Sequence, residues 1–235
     1  MKSTLKWLTI IVMLFTASVQ MHAQQSNTFK PVLRVGVGAG PVFTTVDFVP
    51  SIPQSTNQGF SAGISARYIS EKYLGIGAEL NYTRRGWNED FSETETPEYS
   101  YSRTLDYVEL PILTHVYFGN KVRFILNIGP QISYMLGTSS KMNDALSDYI
   151  ADERENDPDK PIGLQYESLD SNFDYGLLGG VGIEFNSPIG SFNLEGRYYF
   201  GLGDSFDSSR SRSGNFSRSA HRYFAGKLTY YFLSY

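Results

Sequence analysis

The stretch Val122–Leu136, VRFILNIGPQISYML, sorts its residues into two sets. Even positions hold Val122, Phe124, Leu126, Ile128, Pro130, Ile132, Tyr134 and Leu136, all apolar. Odd positions hold Arg123, Asn127, Gly129, Gln131 and Ser133, with Ile125 and Met135. An alternation of two sends successive side chains to opposite faces of a sheet. The run is far longer than the usual strand of about five or six residues. A strand that crosses a bilayer at a tilt needs about nine to eleven residues, apolar toward lipid and polar toward the lumen. The stretch therefore reads as a membrane-crossing strand.

The same pattern recurs seven more times, over Leu33 to Thr44, Gly59 to Ile69, Leu74 to Gly86, Thr104 to Phe118, Phe173 to Phe185, Ser191 to Leu202 and Arg222 to Leu233. Eight strands is the even count that a single-chain bacterial barrel needs. Their connections alternate in length. Ser70 to Tyr73, Gly119 to Lys121 and Asn186 to Gly190 are short, while Thr45 to Gln58, Trp87 to Arg103, Thr138 to Asn172 and Gly203 to His221 are long. Short periplasmic turns and long outer loops belong to an outer-membrane barrel. Aromatics gather at both ends of the outward faces, with Phe43, Phe60, Tyr82, Tyr134, Phe173, Phe200 and Phe224 above and Tyr68, Phe118, Phe124, Phe185, Phe192 and Phe232 below. These are two interfacial girdles. The fold class is all-β: an eight-stranded antiparallel up-and-down transmembrane β-barrel in the bacterial outer membrane. A soluble lipocalin-like barrel is the rival, and it would turn every apolar face inward.

The N-terminus sets Lys2 and Lys6 before a short apolar run, Trp7 to Phe15, and then Met21-His22-Ala23. That reads as a secretory signal peptide over 1–23, followed by a short periplasmic segment over 24–32 and the barrel over 33–235. The chain has no cysteine, which excludes disulfides and a lipid-modified N-terminal Cys. Its formal net charge is −4, and loss of Lys2 and Lys6 makes it more negative, against a nucleic-acid partner. Tyr (17), Phe (16) and Gly (22) are abundant, as suits a strand-rich barrel.

Five segments carry a resemblance: SARYISEKYLGIGAELNYTRRGW from Ser65, YVELPILTHVYFG from Tyr107, RFILNIGPQISYML from Arg123, DYGLLGGVGIEF from Asp174 and GSFNLEGRYYFGLGD from Gly190. Together they resemble the PorT-like outer-membrane β-barrel family of Bacteroidetes, across the chain from about residue 30. The resemblance implies an eight-stranded barrel and, for the founding member, a role in type IX protein secretion. It carries no catalytic motif. The partners it implies are outer-membrane lipid and secretion-machinery or surface proteins met through the loops; the oligomeric state stays open.

The inward faces collect Arg34, Arg67, Glu79, Arg85, Glu109, His115, Arg123, Glu184, Glu195, Arg197 and Lys227. An eight-stranded interior is just wide enough to be filled by side chains, so the expected arrangement is a structural network of buried pairs. The alternative is a small porin or transporter with a narrow polar path, or a proton-sensitive gate at His115 and Glu109. The third loop carries Asp144, Asp148, Asp152, Glu153, Glu155, Asp157 and Asp159. It lacks the glycine and terminal glutamate of an EF-hand and reads as a solvated, partly helical acidic loop. The fourth loop carries Arg210, Arg212, Arg218 and Arg222, which predicts electrostatic association with the third. Gly36, Gly38 and Gly40 lie inside a strand, so they thin the wall and do not cradle a phosphate. His22, His115 and His221 are too dispersed for a zinc site, and no Gly-x-Ser-x-Gly elbow occurs. No catalytic, cofactor-binding or metal-binding residue is assigned.

Overall fold

The computed structural model describes residues 29–91, 99–157, 163–206 and 216–234. The expected signal peptide lies outside these residues. Eight long strands follow one another: β1 (Val32–Val49), β2 (Asn57–Glu71), β3 (Leu74–Glu89), β4 (Tyr101–Gly119), β5 (Val122–Met142), β6 (Phe173–Ser187), β7 (Gly190–Asp204) and β8 (Arg218–Ser234). Each pairs antiparallel with its sequence neighbour, and β8 returns to β1, with Val37 opposite Tyr230 and Val46 opposite His221. Closure satisfies every ladder and leaves no edge in the bilayer.

Two-residue turns at Lys72-Tyr73, Asn120-Lys121 and Pro188-Ile189 join the strands at one end. Gly119 (φ 108°) and Gly190 (φ 140°) flank two of them. A Cβ at either would collide with a backbone carbonyl, that of Val122 or that of Tyr231. At the other end a two-residue strand, Gln54–Ser55, adds to β3, and helix α1 (Asp144–Asn156) follows β5. The Asn143 side chain accepts a hydrogen bond from the Leu146 amide (3.3 Å) and so caps α1.

The faces are apolar outside and polar inside. Ile128 is 56 % and Leu194 56 % exposed on the wall, while Glu184 and Asn193 are 0 % exposed within. Apolar side chains circle the wall and charges fill the bore, which overturns the lipocalin-like rival.

The strands run further than expected at the extracellular end: β1 reaches Val49, β5 reaches Met142, β4 begins at Tyr101 and β8 at Arg218. The reason is an inversion of the faces. Beyond the girdle the outward positions become polar, as at Arg84 and Asp106, and the inward ones become apolar, as at Val46, Phe48, Trp87, Tyr101 and Leu105. There the wall meets water, so the apolar side turns inward as in a soluble sheet. A search for outward apolar runs stops where lipid stops.

Candidate functional site

The bore is filled by three layers of charge, which the alternation of β1 to β8 delivers to one axis. Nearest the short turns, Glu184 takes Arg34 Nη1 on Oε1 (2.8 Å), Arg123 Nη1 on Oε1 (3.2 Å) and Arg67 Nη1 on Oε2 (2.5 Å). Arg67 also lies 4.5 Å from the Tyr231 ring centre and Arg123 4.6 Å from that of Tyr117. In the middle, Arg197 grips Glu79 with two parallel bonds of 2.7 Å, and Lys227 Nζ reaches the same carboxylate at 2.7 Å. Arg197 also donates to Glu195 (3.0 Å) and Lys227 to Asn81 (2.8 Å). In the upper layer, Arg85 Nη2 stands 2.9 Å from Asp174 and 3.7 Å from Glu109, with its guanidinium 3.8 Å from the Tyr107 ring centre. Thr83 and Tyr223 hydroxyls donate to Glu109, and the Tyr199 hydroxyl to Asp174.

Between the middle and upper layers is a cavity of about 20 Å³ touching Asn81, Glu109, Gln131, Arg197 and Lys227. That is room for one water molecule.

Above the upper layer the bore is closed by an apolar head. Phe48 packs edge-on to Trp87 (5.5 Å between ring centres) and tilted against Phe216 (4.6 Å). Leu146 and Ile150 of α1 are buried in the same cluster. The segment after α1 is tied down at Gln165, whose carbonyl accepts from the Tyr101 hydroxyl (2.9 Å) and Arg103 Nη1 (3.2 Å). The Gln165 side chain in turn donates to Glu89 Oε1 (3.4 Å). Burial raises the Glu89 carboxyl above its ordinary value, more than hydrogen bonds from Tyr166 and Gln165 lower it. Burial also raises the Tyr166 phenol, with the neighbouring Glu89 carboxylate acting in the same direction, and lowers Arg103.

This architecture is matched by a family model, described as outer membrane protein beta-barrel domain, over residues 22–207. The chain belongs to that outer membrane beta-barrel family. No curated protein matches its sequence. Among solved structures it is similar to Ail, the attachment invasion locus protein of Yersinia pestis, at 12% identity and TM-score 0.44, covering 88% of this chain and 100% of that one. Neisserial surface protein A is 13% identical at TM-score 0.43, covering 84% and 96%. OprG from Pseudomonas aeruginosa is 8% identical at TM-score 0.43, covering 87% and 94%.

In this outer membrane barrel, ten of the eleven expected lumen residues enter ion pairs. The exception is His115, which shares a 2.8 Å hydrogen bond with Asn127 through Nδ1 and stacks on Tyr117. It does not join Glu109 in one gate. Six residues along β4 separate them by roughly 20 Å, which puts them in different layers. Sequence reasoning left Asp174 out of the network, although it is Arg85's nearer partner. It also left out of that network the tyrosines that enclose the guanidinium. The His221 ring points inward, 1% exposed, edge-on to Tyr107.

Of the expected electrostatic pairing between the third and fourth loops, the described residues show only the partners of Arg218 and Arg222. Arg218 and Arg222 both bind Asp47 of β1 (3.2 Å each), and Arg222 lies 3.8 Å from the Phe200 ring centre. Among the described residues the two loops touch through the apolar cluster of Leu146, Ile150, Phe206 and Phe216, and through backbone, where the Asp170 and Ser171 amides donate to the Ser205 carbonyl. Arg210, Arg212 and Asp159 lie outside the described residues.

Proposed function

We propose that this barrel is a non-enzymatic, non-conducting anchor that presents a preformed binding head outside the cell. The observation that carries this reading is the filled bore: three ion-paired layers lie in series under an apolar cap. A porin needs a continuous wet path, and the cavity in this bore holds one water. What remains for function is the head. Its apolar core holds α1 by Leu146 and Ile150, so Asp144, Asp148, Tyr149, Asp152 and Glu155 face water on a fixed frame. That surface suits a cationic protein partner.

Two measurements test the reading on the intact mature protein. In planar bilayers it gives no stable conductance steps; steps of tens of picosiemens or more would sink the anchor model. Replacing residues 144–156 by a Gly-Ser linker abolishes cell-surface binding of basic proteins and keeps the folded, heat-modifiable barrel. Undiminished binding would move recognition elsewhere. The PorT-like resemblance supports a second reading, an accessory of protein secretion. Under it, a deletion strain loses type IX cargo from the supernatant and retains it in the periplasm; under the anchor reading the secretome is unchanged.

A further inference from the structure

The layer nearest the short turns is not balanced. Three guanidiniums, those of Arg34, Arg67 and Arg123, converge on one carboxylate, Glu184. The next charges inward, Glu79 and Glu195, are already held by Arg197 and Lys227. His115, which faces the layer from β4, shares Nδ1 with Asn127, stacks on Tyr117 and brings no negative charge to the layer. Among the described residues two positive charges are therefore left over in this layer, and geometry says where they point. Arg67 is locked between Glu184 and the Tyr231 ring with its side chain 4% exposed. Arg34 and Arg123 are 12% and 19% exposed and line an open cavity of about 440 Å³ at this mouth, with Asn186, Ser187, Ser191 and Tyr231 around them. Arg34 Nε is buried there without a hydrogen-bond partner among the described residues. Lys121, in an adjoining turn, adds to the positive field, while Lys72 is offset by the preceding Glu71.

The geometry points to an oxyanion site at the periplasmic mouth, formed by Arg34 and Arg123 and taking a carboxylate or phosphate group. Partly desolvated guanidiniums with spare N–H groups bind such an anion in a planar, two-point fashion that water only weakly replaces. The short turns face the periplasm in an outer-membrane barrel, so the ligand arrives from that side. The ligand source is either a free anion or a lipid headgroup of the inner leaflet.

The test uses the full mature barrel in nonionic maltoside micelles and follows arginine side-chain and backbone 15N resonances. Inorganic phosphate, and acetate in parallel, are titrated against chloride at constant ionic strength. The expected result is saturable shifts at Arg34, Arg123 and Tyr231, with Arg85 and Arg197 unmoved. Arg123→Gln weakens the phosphate affinity by at least about tenfold, and Arg123→Lys by less, because a point charge lacks the fork. Arg123 is the most exposed of the three arginines, which makes its replacement the least harmful to folding. The source is separated in nanodiscs containing phosphatidylglycerol. Shifts without added phosphate, and a blunted titration, assign the site to a headgroup; an undiminished titration assigns it to a soluble anion. No saturable shift up to tens of millimolar, equal shifts with chloride, or unchanged affinity in a folded Arg123→Gln barrel would overturn the proposal.

Discussion

Glu79→Gln is the substitution that most directly tests whether the bore is dry. Glu79 is 5% exposed and receives two bonds of 2.7 Å from Arg197, one of 2.7 Å from Lys227 and one of 3.0 Å from Asn81. Glutamine keeps the shape but removes the charge that holds two buried cations. Arg197 retains Glu195 and Lys227 retains Asn81, so part of the network survives. Breaking a buried pair by neutralising one partner costs about 3–5 kcal/mol, against about 0–1 kcal/mol for a pair in water. Even the low end lowers the folded-to-unfolded ratio more than about a hundredfold. The assay is urea unfolding of the mature barrel in neutral lipid vesicles, read by the fluorescence of Trp87, which is fully buried in the head. Adding Lys227→Met recovers at least half of the loss, because replacing a buried pair by an apolar side chain is often neutral or stabilising. A loss under about 1 kcal/mol for Glu79→Gln would mean that water screens the layer. It would refute both the dry bore and the anchor reading built on it.

Leu146→Ala with Ile150→Ala should detach α1 from the head, since each truncation of a buried aliphatic costs about 2–5 kcal/mol. Limited proteolysis should cut near 144–156 at an increased rate while the barrel stays intact, and unchanged cutting would contradict the docking. Glu89 has a folded pKa raised above its unfolded value, so its contribution is full below the ordinary carboxyl range and is lost as pH rises through the raised value. Hydrogen-exchange protection factors over 163–169 should therefore fall as pH rises through that window, and Glu89→Gln should flatten the dependence. Gly63→Val should prevent assembly, because a Cβ there meets the Leu80 carbonyl, fixed by the ladder, and the Asn81 side chain, held by Lys227 and Glu79. A heat-modifiable band at parental yield would count against that.

The strands were legible because lipid imposes one rule on every outward residue. Leu126, Val181 and Leu228 obey it without knowledge of any neighbour. The strand ends were hidden by the same rule. Trp87 and Tyr101 follow the two-residue period but point inward, and a reader tracking the outward face sees the pattern end at the girdle. Inward-pointing charges were legible one by one, whereas their pairing was not. Glu79 meets Arg197 118 positions away, and Arg34 meets Glu184 150 positions away, across strands that are not ladder neighbours. Such contacts depend on how the closed sheet staggers its strands, which no single strand encodes. Asp174 lies inward on the expected strand from Phe173, and what the sequence hid was its pairing with Arg85 on the distant β3. The head's apolar core escaped because Leu146, Ile150, Phe206 and Phe216 come from long connections, where no period marks them.

The three layers, taken in order, bear on conduction independently of size. Among the described residues the periplasmic layer has two cations in excess, the middle layer is balanced, and the upper layer sets one arginine, Arg85, against Glu109 and Asp174. A cation entering from the periplasm meets net positive charge first, and an anion attracted there by Arg34 and Arg123 meets net negative charge at the upper layer. Each sign of ion is opposed at one of the two layers, in a bore too narrow for the ion to keep its water. Removing a single charge therefore opens no path. A conducting variant would need a layer emptied of side chains as well as neutralised, for example Glu79 and Arg197 both changed to Ala. The electrostatic order and the packing thus support the same proposal: a bore that binds an anion at its periplasmic mouth and passes neither sign.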